Sequence, residues 1–113
     1  MDGGKRANIR NWLEDAEGKY GEPIEAIVVG KHYDAPYSEA LAADEGVVLS
    51  RDTGLMKVDA AFDNGFGGAD CFSVTAWTKH RVLFVHEHEG ATRLHCVPRN
   101  PCAHIPAFDG PVA

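Results

Sequence analysis

The stretch CFSVTAWTKHRVLFVHEHEGATRLHCV, residues 71–97, decides the fold. It contains three segments rich in β-branched and aromatic residues, at 71–77, 81–88 and 92–97, and two short polar connections separate them. Segments of this length and composition, divided by turn residues, are typical of consecutive strands. We therefore predict that residues 71–97 form a three-stranded antiparallel meander.

The second connection of this meander sets which side chains share a face. If Glu89 and Gly90 form the turn, residues facing each other have numbers that sum to 179. A three-residue loop would shift this register by one residue. In the first register, one mostly apolar face suits the core, and the other face points outward. The outward face then carries Phe84, His86, His88, Arg93 and His95.

Three imidazoles on one surface are enough in principle to bind a metal ion. The candidate ligands are His86, His88 and His95. The alternative is that these histidines are ordinary polar residues on the solvent side of two strands. Both interpretations stay open at the level of sequence, and we expect no resident cofactor.

An amphipathic helix is predicted near the start of the chain, from residue 8 to residue 19. Its apolar residues recur at helical spacing and form one stripe, which consists of Ile9, Trp12, Leu13, Ala16 and Tyr20. Asn8 is a suitable N-cap residue, and Pro23 prevents the helix from continuing. Glu14, Asp15 and Glu17 lie off the stripe, so we expect all three carboxylates to face solvent.

The remaining segments complete the predicted fold. We expect a strand at 24–33, a short helix at 38–46 and a hairpin at 47–59 that turns at Asp52-Thr53-Gly54. Residues 98–113 contain four of the six prolines and should form an irregular tail. The sequence thus predicts a single α+β domain over residues 1–113, with an antiparallel sheet of about five strands and the N-terminal helix packed on one face.

The segment FDNGFGGADC, residues 62–71, has three glycines between two aspartates. It lacks the Gly-Lys-Ser/Thr of a phosphate-binding loop, the glycine spacing of a dinucleotide site and the alternating acids of a calcium loop. We interpret its glycines as a strand connection, and its carboxylates, Asp63 and Asp70, as groups that contact a partner.

Charge and composition limit the classes of function. The net charge is −6, but residues 11–78 hold 13 acidic and four basic side chains, a net charge of −9. Such a surface disfavours direct binding to nucleic acid or membrane and favours proteins with basic grooves. The first ten residues show no hydrophobic signal region, so we expect a cytoplasmic protein, and the three cysteines, without CxxC spacing, should be reduced thiols.

The acidic segments therefore supply the candidate residues for binding a partner protein. They lie in the first helix, at 34–45 and at 59–70. The candidates are Glu14, Asp15, Glu17, Asp34, Glu39, Asp44, Glu45, Asp59, Asp63 and Asp70.

The stretch FDNGFGGADCFSVTAWTKHRVLFVHEHEG, about a quarter of the chain, resembles the short acidic proteins of phages and other mobile elements, among which anti-CRISPR proteins are prominent. The resemblance implies a non-enzymatic inhibitor that acts in the host cell, binds a CRISPR effector subunit and blocks its access to DNA, for example by imitating the charge of DNA. It assigns no functional residues. The alternative class is a small metal-binding protein or enzyme that uses the histidine face.

Overall fold

The computed structural model describes residues 5–32, 45–64, 71–88, 91–108 and 112–113. Within these ranges the chain forms seven strands and two helices. In chain order they are β1 (Lys5–Asn8), α1 (Ile9–Tyr20), β2 (Ala26–His32), β3 (Val48–Leu49), α2 (Arg51–Lys57), β4 (Ala61–Asn64), β5 (Phe72–Trp77), β6 (Arg81–His88) and β7 (Ala91–Pro98).

The main sheet has five strands in the order β3-β2-β5-β6-β7, and every neighbouring pair is antiparallel. A second, two-stranded antiparallel sheet pairs β1 with β4. The α+β prediction is confirmed, and so is the three-stranded meander, because β5, β6 and β7 are consecutive neighbours. In the last hairpin Phe84 pairs with His95 and His86 with Arg93, so the predicted register is also correct.

One face of the main sheet carries the core. Ile27 and Val29 of β2 alternate with less buried neighbours and pair with Ala76 and Val74 of β5. The buried residues of both helices, among them Leu13 of α1, join the same apolar cluster. Full burial of a large aliphatic side chain contributes about 1.5–3 kcal/mol, so this face provides much of the driving force for folding.

Helix α1 begins and ends where the sequence indicates. The Asn8 side chain accepts a hydrogen bond from the Arg10 amide at 2.8 Å, which satisfies a donor of the first turn. Gly21 follows the helix with φ of 65°, a left-handed conformation that glycine adopts without steric cost. The predicted N-cap and amphipathic helix are both confirmed.

The predicted hairpin at 47–59 is wrong. Only Val48 and Leu49 form a strand, and helix α2 follows directly, with Ser50 as its N-cap accepting from the Thr53 amide. The Asp-Thr-Gly triplet therefore lies inside a helix. Ser50 and the acidic first turn favour a helix start, and Gly54 permits α2 to approach β2: a Cβ at Gly54 would lie 2.5 Å from Ile27 Cβ.

Other predicted segments are confirmed or fall outside the described ranges. The predicted strand at 24–33 appears as β2. The described part of the tail from residue 101 to 107 has no regular structure, as expected, but its end returns to the sheet: Ala113 N donates to Leu94 O at 2.8 Å, and Val112 bridges His95. Residues 38–44 and 65–70, which include most of the predicted short helix and the glycines of the loop, lie outside the described residues.

No helix in the described part of the chain is long and apolar enough to cross a membrane.

Candidate functional site

Side-chain bonds connect the ends of α1 and α2 in a pattern that requires the two helices to run in opposite directions. Arg51, at the start of α2, bonds to Glu17 near the end of α1. Asp59, just after α2, bonds to Arg10 at the start of α1. This pairing creates a charged surface, which we call the α1–α2 surface. It consists of Arg10, Glu14, Glu17, Arg51, Asp52 and Asp59.

Glu17 is held inside this surface rather than facing solvent, which corrects the sequence prediction. Its side chain is only 13% exposed. Arg51 donates to both of its oxygens, at 2.7 and 2.8 Å, and the Ile24 amide donates at 2.7 Å. The hydrogen bond from Arg51 is the main cause of a lowered Glu17 pKa. A bidentate pair of this kind fixes the helix α2 against α1.

The other carboxylates of the α1–α2 surface reach solvent. Glu14 is 42% exposed and lies 3.6 Å from Arg10. Asp59, 47% exposed, accepts from Arg10 at 3.2 Å and from Asn8 at 3.0 Å. Asp52 is 89% exposed and contacts Arg51 at 3.0 Å. Four carboxylates and two guanidinium groups give the α1–α2 surface a net charge of −2, and its anions are held in place by its own arginines.

The remaining predicted acidic residues are spread more widely. Asp15 is exposed on the opposite flank of α1, where it lines a cleft of about 310 Å³ together with Trp12, Lys19 and Thr92. Glu45 is exposed before β3. Asp63 lies in β4, paired through its backbone with Arg6. Asp34, Glu39, Asp44 and Asp70 lie outside the described residues.

The predicted histidine face differs from the expectation of three exposed imidazoles. His95 is only 4% exposed, because its ring stacks on Phe84 at 5.8 Å and meets the edge of His86 at 5.1 Å. Within the described residues, no group of three or more His, Cys, Asp or Glu side chains is arranged to hold a metal ion. His88 belongs to β6, but its side chain is not among those described.

A network of hydrogen bonds surrounds Glu22, at the connection between α1 and β2, and it is not among the sites predicted from sequence. Its carboxylate accepts from Thr78 Oγ1 at 2.6 Å, from the His80 amide at 3.0 Å and from Arg81 Nη1 at 2.7 Å. The hydrogen bond from Thr78, followed by those from His80, lowers the Glu22 pKa to about 2. The network joins the end of α1 to the β5–β6 turn. No local sequence signal indicates it, because Glu22 is more than fifty residues from its partners.

A second cavity, of about 410 Å³, lies between the end of α1 and the proline-rich tail. The Tyr20 hydroxyl and the Cys96 thiol are 3.5 Å apart on its wall, and the Arg81 guanidinium lies 4.0 Å from the centre of the Tyr20 ring. The contact with Cys96 and burial raise the Tyr20 pKa. Cys102 also lines this cavity, whereas Cys71 does not.

Comparison with known proteins gives no match: no family model matches the chain, and neither a curated protein nor a solved structure resembles it at a significant level. The chemistry of the described residues is therefore the basis for assigning a function.

Proposed function

We propose that the protein is a non-enzymatic binding protein that inhibits a nucleic-acid-handling partner in the host cytoplasm, as anti-CRISPR proteins do. In this proposal the α1–α2 surface occupies a basic groove of the partner, such as the DNA-binding channel of a CRISPR effector. The carboxylates take the place of phosphates, and no chemical step is involved.

The observation that carries the proposal is the row of exposed carboxylates along two helices fixed to each other. Arg10 and Glu17 are seven residues apart in α1, which corresponds to about 10 Å along the helix. Asp59 and Glu14 contact Arg10 at one end of this stretch, and Asp52 contacts Arg51, which bonds to Glu17 at the other end. One strand of DNA advances ~3.4 Å along the duplex axis per phosphate, so about 10 Å of α1 corresponds to the axial rise of about three phosphates.

The arginines of this surface support the proposal in a second way. Arg10 and Arg51 each contact two carboxylates, so the anions keep one arrangement before any partner binds. Preorganised charges lose less side-chain entropy on association than mobile ones. Complementary charge also accelerates association with a basic groove.

The proposal is tested by measuring affinity for a panel of purified CRISPR effector complexes by biolayer interferometry. Glu14→Lys should weaken binding about tenfold or more, because it reverses one charge that faces cations. Glu25→Lys is the matched control: Glu25 is 51% exposed and also pairs with one arginine, Arg99, but it lies outside the α1–α2 surface. It should leave the affinity unchanged within about twofold.

Two results would refute the proposal. One is equal weakening by both charge reversals, which would indicate a response to net charge alone. The other is the absence of binding to every effector complex in the panel. Zinc and iron analysis of the purified protein separates this function from the histidine-based alternative, since an inhibitor that works by charge needs no metal.

A further inference from the structure

Two of the three cysteines line the same cavity beside the proline-rich tail. Cys96 is buried in β7, and Cys102 is exposed in the tail, six residues later. Both contribute to the wall of the 410 Å³ cavity. Cys71 is buried in a different part of the protein, at a separate cavity of about 210 Å³ formed with Phe62 and Val58. The fold thus places Cys96 and Cys102 at one cavity and Cys71 at another.

We propose that Cys96 and Cys102 are a redox modification site, a dithiol that exchanges with a low-molecular-weight disulfide such as oxidised glutathione. Cys102 is the entry point because its side chain is exposed. Cys96 is the resolving thiol, because it is buried at the same cavity and is within reach only of groups that enter it. This inference is independent of the α1–α2 surface.

The exchange proceeds in two balanced steps. The Cys102 thiolate attacks one sulfur of the external disulfide, so a Cys102–glutathione bond forms and one glutathione thiolate leaves. The Cys96 thiolate then attacks the Cys102 sulfur, which forms the Cys96–Cys102 disulfide and releases the second glutathione thiolate. Two protein thiols are oxidised, one external disulfide is reduced, and the two thiol protons pass to the released glutathione.

A disulfide requires the Cα atoms of its two cysteines to lie about 4.4–6.8 Å apart. The tail allows Cys102 to move to this distance from Cys96. Arg99 is fixed to the body of the domain: its amide donates to His80 O at 2.9 Å, and its guanidinium donates to Thr78 O at 2.9 Å. After Arg99 the chain is exposed and has no regular structure up to residue 107. Cys102 can therefore move toward Cys96 within the cavity without disturbing the hydrogen bonds between β6 and β7.

Oxidation would change the cavity in a defined way. The Cys96 sulfur would exchange its contact with the Tyr20 hydroxyl, now 3.5 Å away, for a covalent bond to the tail. The segment that carries His104 and Ile105, both of which line the cavity, would then be held over it. The tail would then be tied at Cys102 in addition to Arg99 and to the contacts of Val112 and Ala113 with β7.

Tryptic mapping of the native protein after incubation with oxidised glutathione tests the proposal directly. Cleavage after Lys57, Lys79, Arg93 and Arg99 puts each cysteine in a different peptide: Cys71 in 58–79, Cys96 in 94–99 and Cys102 in 100–113. The expected product has lost two hydrogen atoms in mass and links 94–99 to 100–113, and dithiothreitol reverses it.

Two variants separate the roles of the thiols. Cys96→Ser should accumulate a stable glutathione adduct on 100–113, because nothing resolves it. Cys102→Ser should consume oxidised glutathione at least about tenfold more slowly than the wild type, because its remaining thiols are buried. A wild-type adduct without a crosslink, a linked 58–79 peptide or a disulfide-linked dimer would each overturn the proposal.

Discussion

Replacing Gly54 by alanine should destabilise the protein, although the same change improves most helices. Alanine in a helix interior is favoured over glycine by about 1 kcal/mol. In α2, however, the added Cβ would lie 2.5 Å from Ile27 Cβ and 2.7 Å from Ile27 Cδ1, closer than real Cβ contacts. Because the Ile27 Cβ is anchored in the sheet, helix α2 must move away from β2.

The magnitude follows from these two opposing terms. Overpacking of a tight core contact typically costs about 1–3 kcal/mol and sometimes more, and the helix propensity returns about 1 kcal/mol. Because the added Cβ would lie only 2.5 Å from the anchored Ile27 Cβ, we take the overpacking cost to be in the upper part of this range, about 2–3 kcal/mol. We therefore expect Gly54→Ala to lower the free energy of unfolding by about 1–2 kcal/mol. For a domain of this size that corresponds to a fall in melting temperature of roughly 4–8 °C.

Urea denaturation followed by circular dichroism is the assay, and Gly18→Ala is the matched control. Gly18 lies in α1, and a Cβ there would meet nothing within 4 Å. The control should therefore raise the free energy of unfolding by about 0.5–1 kcal/mol. If Gly54→Ala were as stabilising as Gly18→Ala, α2 would not pack against Ile27 as described, and the reasoning about this helix would be refuted.

Two further predictions concern the polar contacts that join distant segments. Folding lowers the Glu22 pKa from 4.5 to about 2. The ionised carboxylate therefore stabilises the fold fully above the unfolded pKa, and this stabilisation is lost as the pH falls toward 2. Glu22→Gln removes the titrating group, so it should flatten the pH dependence of the urea midpoint between about pH 5 and pH 2. The Asn64 side-chain amide accepts from the Thr92 N–H at 2.7 Å and donates to the Thr92 C=O at 3.0 Å. Asn64→Ala should therefore lower the free energy of unfolding by about 1–3 kcal/mol in the same assay, and it should promote self-association in size-exclusion chromatography because the backbone groups of an edge strand lose their partners. The control Asn11→Ala, at an exposed position of α1, should change the free energy of unfolding by less than about 0.5 kcal/mol.

The main elements of the fold were predictable because their signals are local. The apolar stripe from Ile9 to Tyr20 and the β-rich segments from Phe72 to Val97 each favour one secondary structure. Helix α2 was missed because Asp52-Thr53-Gly54 suits both a turn and a first helical turn. Strands β1 and β4 have four residues each, and their formation depends on pairing with each other across more than fifty residues.

The α1–α2 surface was predictable only in part, because it depends on contacts between segments that are far apart in the sequence. A helical stripe shows which side of α1 faces the core, and it correctly leaves Glu14 and Asp15 exposed. It does not show that Arg51 arrives beside Glu17, because that contact requires the helix α2 that the sequence did not indicate. Likewise, the hairpin register put His95 on the expected face, but its burial depends on stacking with Phe84 and on the return of the tail.

The most direct test of the proposed function is competition with DNA for the same groove. Fluorescence anisotropy of labelled target DNA bound to the effector complex should fall as the protein is added. The affinity of the protein for the effector, measured directly in the absence of DNA, should fall steeply between about 0.1 M and about 1 M salt, where the Debye length shortens from about 10 Å to about 3 Å. Glu14→Lys should be about tenfold less potent than Glu25→Lys. If the DNA stays bound while the protein is attached to the effector, the α1–α2 surface does not replace DNA, and the central claim is contradicted.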